Sequence, residues 1–289
     1  MANLVQDALF ALVCVTSVVF MVQSAIVDVP HMVTVPSDTA HSGGVHSTAP
    51  LSANVTEFKG IGGSSARNGW LTVFDHAAPY FSVQAASKSC GLAWVSTQAA
   101  AHNCSYATNA GPFKSLVKGG CTGAVIVDKT VIASDFSVSN AMFALTAAGE
   151  WILGSVDNET HAVAMGVTQL VTGFNWLVYD KQATVSTAGG ELAPRTAVGV
   201  DAQGRLMLLE VDGCEKCSTG KGMTMKQLAD FMASPAVGAV HAVNLDGGGS
   251  STFVRKDAAT GKEVVVNWPT CVDINFKCER SVATIMCVA

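Results

Sequence analysis

From Glu57 onward the chain alternates short apolar runs with clusters of turn residues, the pattern of a strand-rich domain. The runs predict strands over Trp70–Phe74, Tyr80–Ala85, Ala124–Val127, Met142–Leu145, Trp176–Tyr179, Ala197–Val200, Leu206–Val211, Val240–Asn244 and Glu263–Asn267. Asp201-Ala202-Gln203-Gly204 separates two of them and reads as a hairpin connection. One helix stands out. Thr224 with Gln227 three residues on makes a capping box, Met225, Leu228, Ala229 and Met232 share one apolar face, and Pro235 ends the segment. A weaker helix is expected over Ser96–Ala101. With no internal repeat and no linker inside 57–289, the pattern predicts one α+β, strand-rich domain with a mixed sheet and few helices.

Two segments of different character precede it. Ala8–Ile26 approaches the ~20 apolar residues that span a bilayer. Its run Ala8–Val22 reads as the core of a secretory signal peptide over 1–24, with Val22-Gln23-Ser24 before a cleavage site. The first seven residues carry no Lys or Arg, so an uncleaved anchor is the alternative, and the only route to a membrane. Residues 25–56, rich in Pro, Ser, Thr, His and Gly, are expected to form a flexible or propeptide-like linker.

Composition changes this picture in one respect. The 289 residues are 49% hydrophobic but only 13% charged, against about 25% in an average soluble protein. A mean hydropathy of +0.36 invites a membrane reading, yet after Ile26 the apolar residues are too interrupted to span. Seventeen basic against 22 acidic residues, a net charge of −5 and no basic run argue against nucleic-acid binding. The same apolarity argues against disorder.

Export is supported by the cysteines. Removing Cys14 with the signal leaves eight, Cys90, Cys104, Cys121, Cys214, Cys217, Cys271, Cys278 and Cys287, an even set that suggests disulfides among 105 possible pairings. Asn54, Asn103 and Asn158 begin N-glycosylation acceptor sequences. Cys214-Glu215-Lys216-Cys217 lacks the second ligand pair of a zinc site, and the histidines show no metal spacing, so no metal and no cofactor are expected.

The most informative stretch is Asn244-Leu245-Asp246-Gly247-Gly248-Gly249-Ser250-Ser251-Thr252-Phe253-Val254. Three glycines after a strand imply positive φ or close approach of the backbone to a ligand, and successive N–H groups in such a turn form a concave anion site. Asn244 and Asp246, two apart, project on one face beside it. The plainer alternative is a hairpin whose glycines merely turn the chain. Ser250 stands where a P-loop needs Lys, and no Gly-x-Ser-x-Gly elbow is present.

With this motif the chain resembles the phosphodiester glycosidases, whose hallmark is Asn-Leu-Asp-Gly-Gly-Gly-Ser, continued here by Thr252-Phe253-Val254. Arg195-Thr196-Ala197-Val198-Gly199 resembles that family's Arg-Thr-Ala-Ile-Gly, and Leu208 to Gly213 its strand ending in Asp-Gly. Phe81-Ser82-Val83, Cys121-Thr122-Gly123 and the block from Cys271 through Cys278 to Val288 look like its animal members. The likeness runs from about 80 to 289. One departure falls at Asn109-Ala110-Gly111-Pro112-Phe113, where the family has Asn-Gly-Gly-Phe-Phe; the amide is kept and a glycine and an aromatic are lost.

The resemblance implies hydrolysis of a sugar 1-phosphodiester, with removal of α-N-acetylglucosamine from phosphorylated, mannose 6-phosphate-type glycans in the Golgi lumen or outside the cell as the specific expectation. In that chemistry Arg195 is a bidentate cation for phosphate, and the amides of Gly247, Gly248 and Gly249 hold other phosphate oxygens. Asp246 or Asp212 meets the charge at the anomeric carbon. Asn109 and Asn244 face sugar hydroxyls or an N-acetyl group, Ser250 and Thr252 line the phosphate side, and Glu210 and Asp128 are spare carboxylates. The resemblance also implies the pairings Cys90–Cys121, Cys104–Cys287 and Cys271–Cys278, leaving Cys214 and Cys217 for each other. The alternatives are a non-catalytic glycan- or sugar-phosphate-binding protein on the same scaffold, and a structural secreted glycoprotein.

Overall fold

A computed structural model describes residues 30–39, 50–61, 67–138, 141–218 and 220–289. The expected signal segment lies outside these residues. Within them the apolar runs become strands, because alternating side chains in each run meet a buried face on one side at least. The strands Met32–Pro36, Glu150–Gly154, Met142–Thr146, Val167–Thr172, Ala124–Val127 and Thr130–Ser134 lie in that order in a six-stranded sheet. A seven-stranded sheet runs Gln182–Ala183, Asn175–Tyr179, His241–Asn244, Arg195–Val200, Leu206–Val211, Arg67–Asp75 and Ser52–Ile61. A five-stranded sheet runs Glu263–Val265, Phe253–Lys256, Tyr106–Asn109, Thr284–Val288 and Phe81–Ala85. Ala93–Trp94 pairs separately with Ser281–Val282.

The α+β, disulfide-linked, strand-rich class holds. The ladders between these strands are antiparallel; the parallel pairing among the described residues is the isolated bridge between Thr270 and Cys278. The Asp201–Gly204 turn joins antiparallel partners, Val200 opposite Leu206. Among the described residues three α-helices accompany the sheets: α1 (Val95–Ala101), α2 (Glu159–Ala164) and α3 (Met225–Ala233). The α3 capping box forms as expected, and Leu228, Ala229 and Met232 pack with Leu177 and Leu209 of the seven-stranded sheet.

Two strands fall wholly or partly within the stretch expected to be a linker, residues 25–56, of which 25–29 and 40–49 lie outside the described residues. Met32–Pro36 is the edge of the six-stranded sheet, pairing from Met32 opposite Gly154 to Pro36 opposite Glu150. Pro36 is tolerated there because an edge strand leaves one row of N–H groups unpaired. Ser52–Ile61 pairs with Arg67–Asp75 and alternates exposed and half-buried positions from Ser52 to Thr56. Its polar outward face is what made the stretch look like a linker.

One core joins the sheets. Phe81 of the five-stranded sheet meets Trp151 of the six-stranded sheet edge to face, centroids 5.3 Å apart. The buried Trp151 also donates from Nε1 to the Gly204 carbonyl at 2.9 Å, tying that sheet to the hairpin of the seven-stranded one. All four disulfides pair as the resemblance implied: Cys90–Cys121, Cys104–Cys287, Cys214–Cys217 and Cys271–Cys278. Asn54, Asn103 and Asn158 are exposed, the last as the N-cap of α2. No helix among the described residues is long and apolar enough to cross a membrane.

Candidate active site

The central strand His241–Asn244 ends between Asn175–Tyr179 and Arg195–Val200, and the chain turns sharply after it. Leu245 donates to the Thr196 carbonyl at 2.9 Å and Asp246 to the Ala110 carbonyl at 2.9 Å, so the seven-stranded sheet hands the chain over to the segment following Asn109. Asp246 is partly exposed. Its carboxyl takes hydrogen bonds from the Ser250 side chain and the Gly247 amide. Burial nevertheless raises its pKa to about 6, with Glu215 adding to the rise and the Arg280 charge opposing it. A carboxyl poised there exchanges a proton near neutrality, as catalytic carboxyls do.

Gly248 meets the expectation of positive φ, and Gly249 is required by close packing against the protein's own groups rather than against a ligand. Gly248 has φ +59, and a side chain there would strike the Glu215 carboxyl. A Cβ on Gly249 would lie 2.6 Å from the Thr270 carbonyl oxygen and collide with the Arg280 guanidinium. Their amides are not free for phosphate, which corrects the expected anion cradle. Gly248 donates to the Pro194 carbonyl at 2.9 Å and Gly249 to Asp273 Oδ1 at 3.1 Å. The anion on the turn is thus the protein's own. Asp273 also accepts from Arg280 Nη2 at 2.6 Å and from Lys216 Nζ at 2.9 Å. Burial works against its charged form, but these two cations more than offset that and hold its pKa low.

Arg195 is anchored by the protein itself: its Nε donates to the Met223 carbonyl at 2.9 Å and Nη2 to the Glu191 carbonyl at 2.8 Å, which orients the guanidinium and ties two loops together. Burial lowers its pKa, against the pull of Glu215 and Glu191. Glu215, whose own pKa burial raises, faces both Arg195 and Arg280.

Beneath the turn lies a buried polar network. Asn109, 0% exposed, donates from Nδ2 to the Asp246 carbonyl at 2.6 Å, while its Oδ1 accepts from the Thr252 amide at 3.1 Å and from Thr196 Oγ1 at 2.8 Å. It is spent on holding Asp246, not on sugar, which corrects that expectation. Thr196 Oγ1 also lies 2.9 Å from Glu210 Oε2. Burial, reinforced by the Asp212 charge, raises the Glu210 pKa well above the usual carboxylate range, against hydrogen bonds from Thr196 and Ser251. Asn244 Oδ1 and Thr252 Oγ1 are buried without a hydrogen-bond partner among the described residues, so neither presents a free group to solvent. Ser250 is 1% exposed and serves Asp246 rather than lining a phosphate side.

Asp212 lies at the end of strand Leu206–Val211, where Oδ1 accepts from the Trp268 amide at 2.7 Å. With Gly213, Trp268 and Asn275 it lines a cleft of about 280 Å3. Thr270 links the two turns: its hydroxyl donates to the Gly213 carbonyl at 3.4 Å, and its own carbonyl abuts Gly249. The spare carboxylate Asp128 is elsewhere, held by Gln169 Nε2 at 2.6 Å. Glu215, Lys216, Asp273 and Arg280 were missed from sequence. They carry no family motif; Glu215 and Lys216 sit between Cys214 and Cys217, Asp273 between Cys271 and Cys278 and Arg280 two residues beyond, so the two short cysteine loops were their signal. No group of His, Cys, Asp or Glu among the described residues is arranged to hold a metal ion.

Comparison with known proteins adds an independent line. A family model described as phosphodiester glycosidase matches residues 102–289. The human N-acetylglucosamine-1-phosphodiester alpha-N-acetylglucosaminidase is 30% identical over 216 residues, 68% of this chain and 40% of that protein. Its mouse counterpart is 29% identical over 205 residues, 64% of this chain and 37% of that one. The chain thus spans about 40% of the length of the curated relatives it matches. A zebrafish structure, described as the catalytic domain of the same enzyme auto-inhibited by its pro-peptide, superposes with TM-score 0.73 at 24% identity, covering 90% of this chain and 88% of that one. A hypothetical protein from Synechocystis shares the fold at TM-score 0.54 and 13% identity, over 83% of this chain and 64% of its own.

Proposed function

This chain belongs to the phosphodiester glycosidase family, and from that premise we propose that it hydrolyses a sugar 1-phosphodiester, releasing α-N-acetylglucosamine from phosphorylated glycans of the mannose 6-phosphate type. The observation that carries the reading is Asp246, a carboxyl with a pKa of about 6, pinned by Ser250 and the Gly247 amide at the end of the central strand and within range of the Arg280 charge. The bond broken is that between the anomeric carbon and the phosphate oxygen. The phosphomonoester leaves with the electron pair, and water supplies the hydroxyl to carbon and a proton to the medium. A phosphate leaving group is weakly basic, so departure needs little acid assistance. What the reaction needs is an anion against the oxocarbenium-like transition state, and ionised Asp246 supplies it. Asp212, at the mouth of the neighbouring cleft, is the second carboxylate.

On the phosphate side the cations are Arg280 and Lys216, gathered on Asp273. Arg195 holds the wall behind the triglycine turn through the Met223 and Glu191 carbonyls. Four disulfides favour an oxidising compartment, and three exposed acceptor asparagines favour one where glycans are attached, so the protein acts in the secretory pathway or beyond it. The deciding measurement is release of free N-acetylglucosamine from its 1-phosphomethyl ester. Turnover by the wild type that disappears in Asp246→Asn supports the reading. A folded wild type that binds sugar phosphates by calorimetry without turnover points instead to a glycan-binding protein on this scaffold.

A further inference from the structure

Next to the candidate site is a set of exposed apolar side chains that the core does not use. Trp268 is 50% exposed, and Phe276, 62% exposed, stands on the loop closed by Cys271–Cys278 just after it. Large apolar groups clustered in water mark contact surfaces. This one is built onto the site. The Trp268 amide is fixed at 2.7 Å to Asp212 Oδ1, and the residue shares the 280 Å3 cleft with Asp212 and Asn275. Lys277 Nζ lies 5.4 Å from the Trp268 ring centroid. One short segment therefore brings a flat ring and an amide-bearing residue to one cleft, with an ammonium over the ring.

A pyranose has an apolar C–H face and a rim of hydroxyls. The ring suits the face, and the amide suits the hydroxyls, as in sites where an apolar wall is combined with a few convergent polar groups. An acyl chain would leave the ammonium and the amide unused. The ammonium asks for a ligand that carries negative charge. We propose that Trp268, Asn275 and Lys277 form a subsite for a phosphorylated pyranose, the glycan on the leaving side of the scissile bond. The side of the bond bound here rests on the hydrolytic reading above; the recognition of a phosphorylated sugar does not.

The test compares two substrates with the same N-acetylglucosamine 1-phosphate, one capped by methyl and one by an oligomannose glycan, in the wild type, Trp268→Ala and Trp268→Tyr. The ratio of kcat/KM for glycan over methyl is expected to fall about tenfold in Trp268→Ala, mainly through KM, and to recover largely in Trp268→Tyr. In parallel, quenching of intrinsic tryptophan fluorescence by a phosphorylated oligomannose glycan is expected in the wild type and lost in Trp268→Ala. Equal loss on both substrates without rescue by Tyr makes Trp268 merely structural and overturns the proposal. So does an unchanged ratio, or equal quenching by the same oligomannose glycan without its phosphate. Quenching that depends on Trp268 in a protein that cleaves neither substrate sustains the subsite while the hydrolytic reading fails. Cleavage of the methyl ester without such quenching does the reverse.

Discussion

The half-buried Asp246 and the fully buried Glu210 are carboxyls with opposite duties, and each has a distinct signature. Acting as an anion, Asp246 makes the rate fall about tenfold per pH unit below its pKa of about 6, so the pH profile of kcat/KM for the methyl ester should bend there. Asp246→Asn should remove at least about 10³-fold of kcat while the melting temperature at pH 7.5 does not fall, since the amide fits the same Ser250 and Gly247 contacts without the cost of a buried charge. Glu210 bears on stability instead. Its folded pKa lies above its unfolded one, so as pH rises through the unfolded value the unfolded chain loses the proton first and stability declines. Glu210→Gln, a neutral isostere whose amide oxygen can still accept from Thr196, should therefore melt higher than the wild type at pH 7.5, by about 2–4 °C per kcal/mol relieved, with the gap closing near pH 4 in a calorimetric scan. At this scale the motif residues were legible as important, but their partners were not. Arg195 and Asn109 sit in recognisable strings, yet that the first grips carbonyls and the second holds the Asp246 backbone depends on groups far along the chain. A string of letters carries identity, and burial decides what is left to bind.

The triglycine turn is the element on which the site depends. Gly249 lies between the Arg280 guanidinium and the Thr270 carbonyl. Gly249→Ala should displace Arg280 from Asp273, cost about 1–3 kcal/mol in denaturant unfolding, and lower kcat. The same variant should move the acid limb of the pH profile upward, because the Arg280 charge is among the interactions holding the Asp246 pKa down. Elements with a strong local signal were readable in advance: α3 through its capping box, and the Asp201–Gly204 hairpin through its turn residues. Met32–Pro36 and Ser52–Ile61 were not, because an edge strand with one wet face keeps a loop-like composition and is held by its neighbour's ladder. The disulfide loop Cys271–Cys278 was readable as a staple, but not as the carrier of Asp273, whose partners Gly249 and Lys216 come from two other turns.

Across the whole molecule, the four disulfides should differ in value. Cys104–Cys287 spans 183 residues and Cys214–Cys217 only 3. In the chain-entropy account, removing the first pair by alanine costs about 5 kcal/mol and the second about 2 kcal/mol, a contrast that urea titration of the two double variants would resolve. The long bridge also fastens Thr284–Val288 between Tyr106–Asn109 and Phe81–Ala85, so the strand that completes the sheet carrying Asn109 follows both of its neighbours along the chain. During synthesis those neighbours leave the ribosome early and wait with open edges. At about 5–20 residues per second, 183 residues take on the order of ten to forty seconds. For that interval Cys104 has no rightful partner, while Cys90–Cys121, separated by 31, can already close. The nascent chain thus passes through a window in which its thiols and strand edges are open to strangers, and its yield in a cell depends on what guards them until Cys287 arrives.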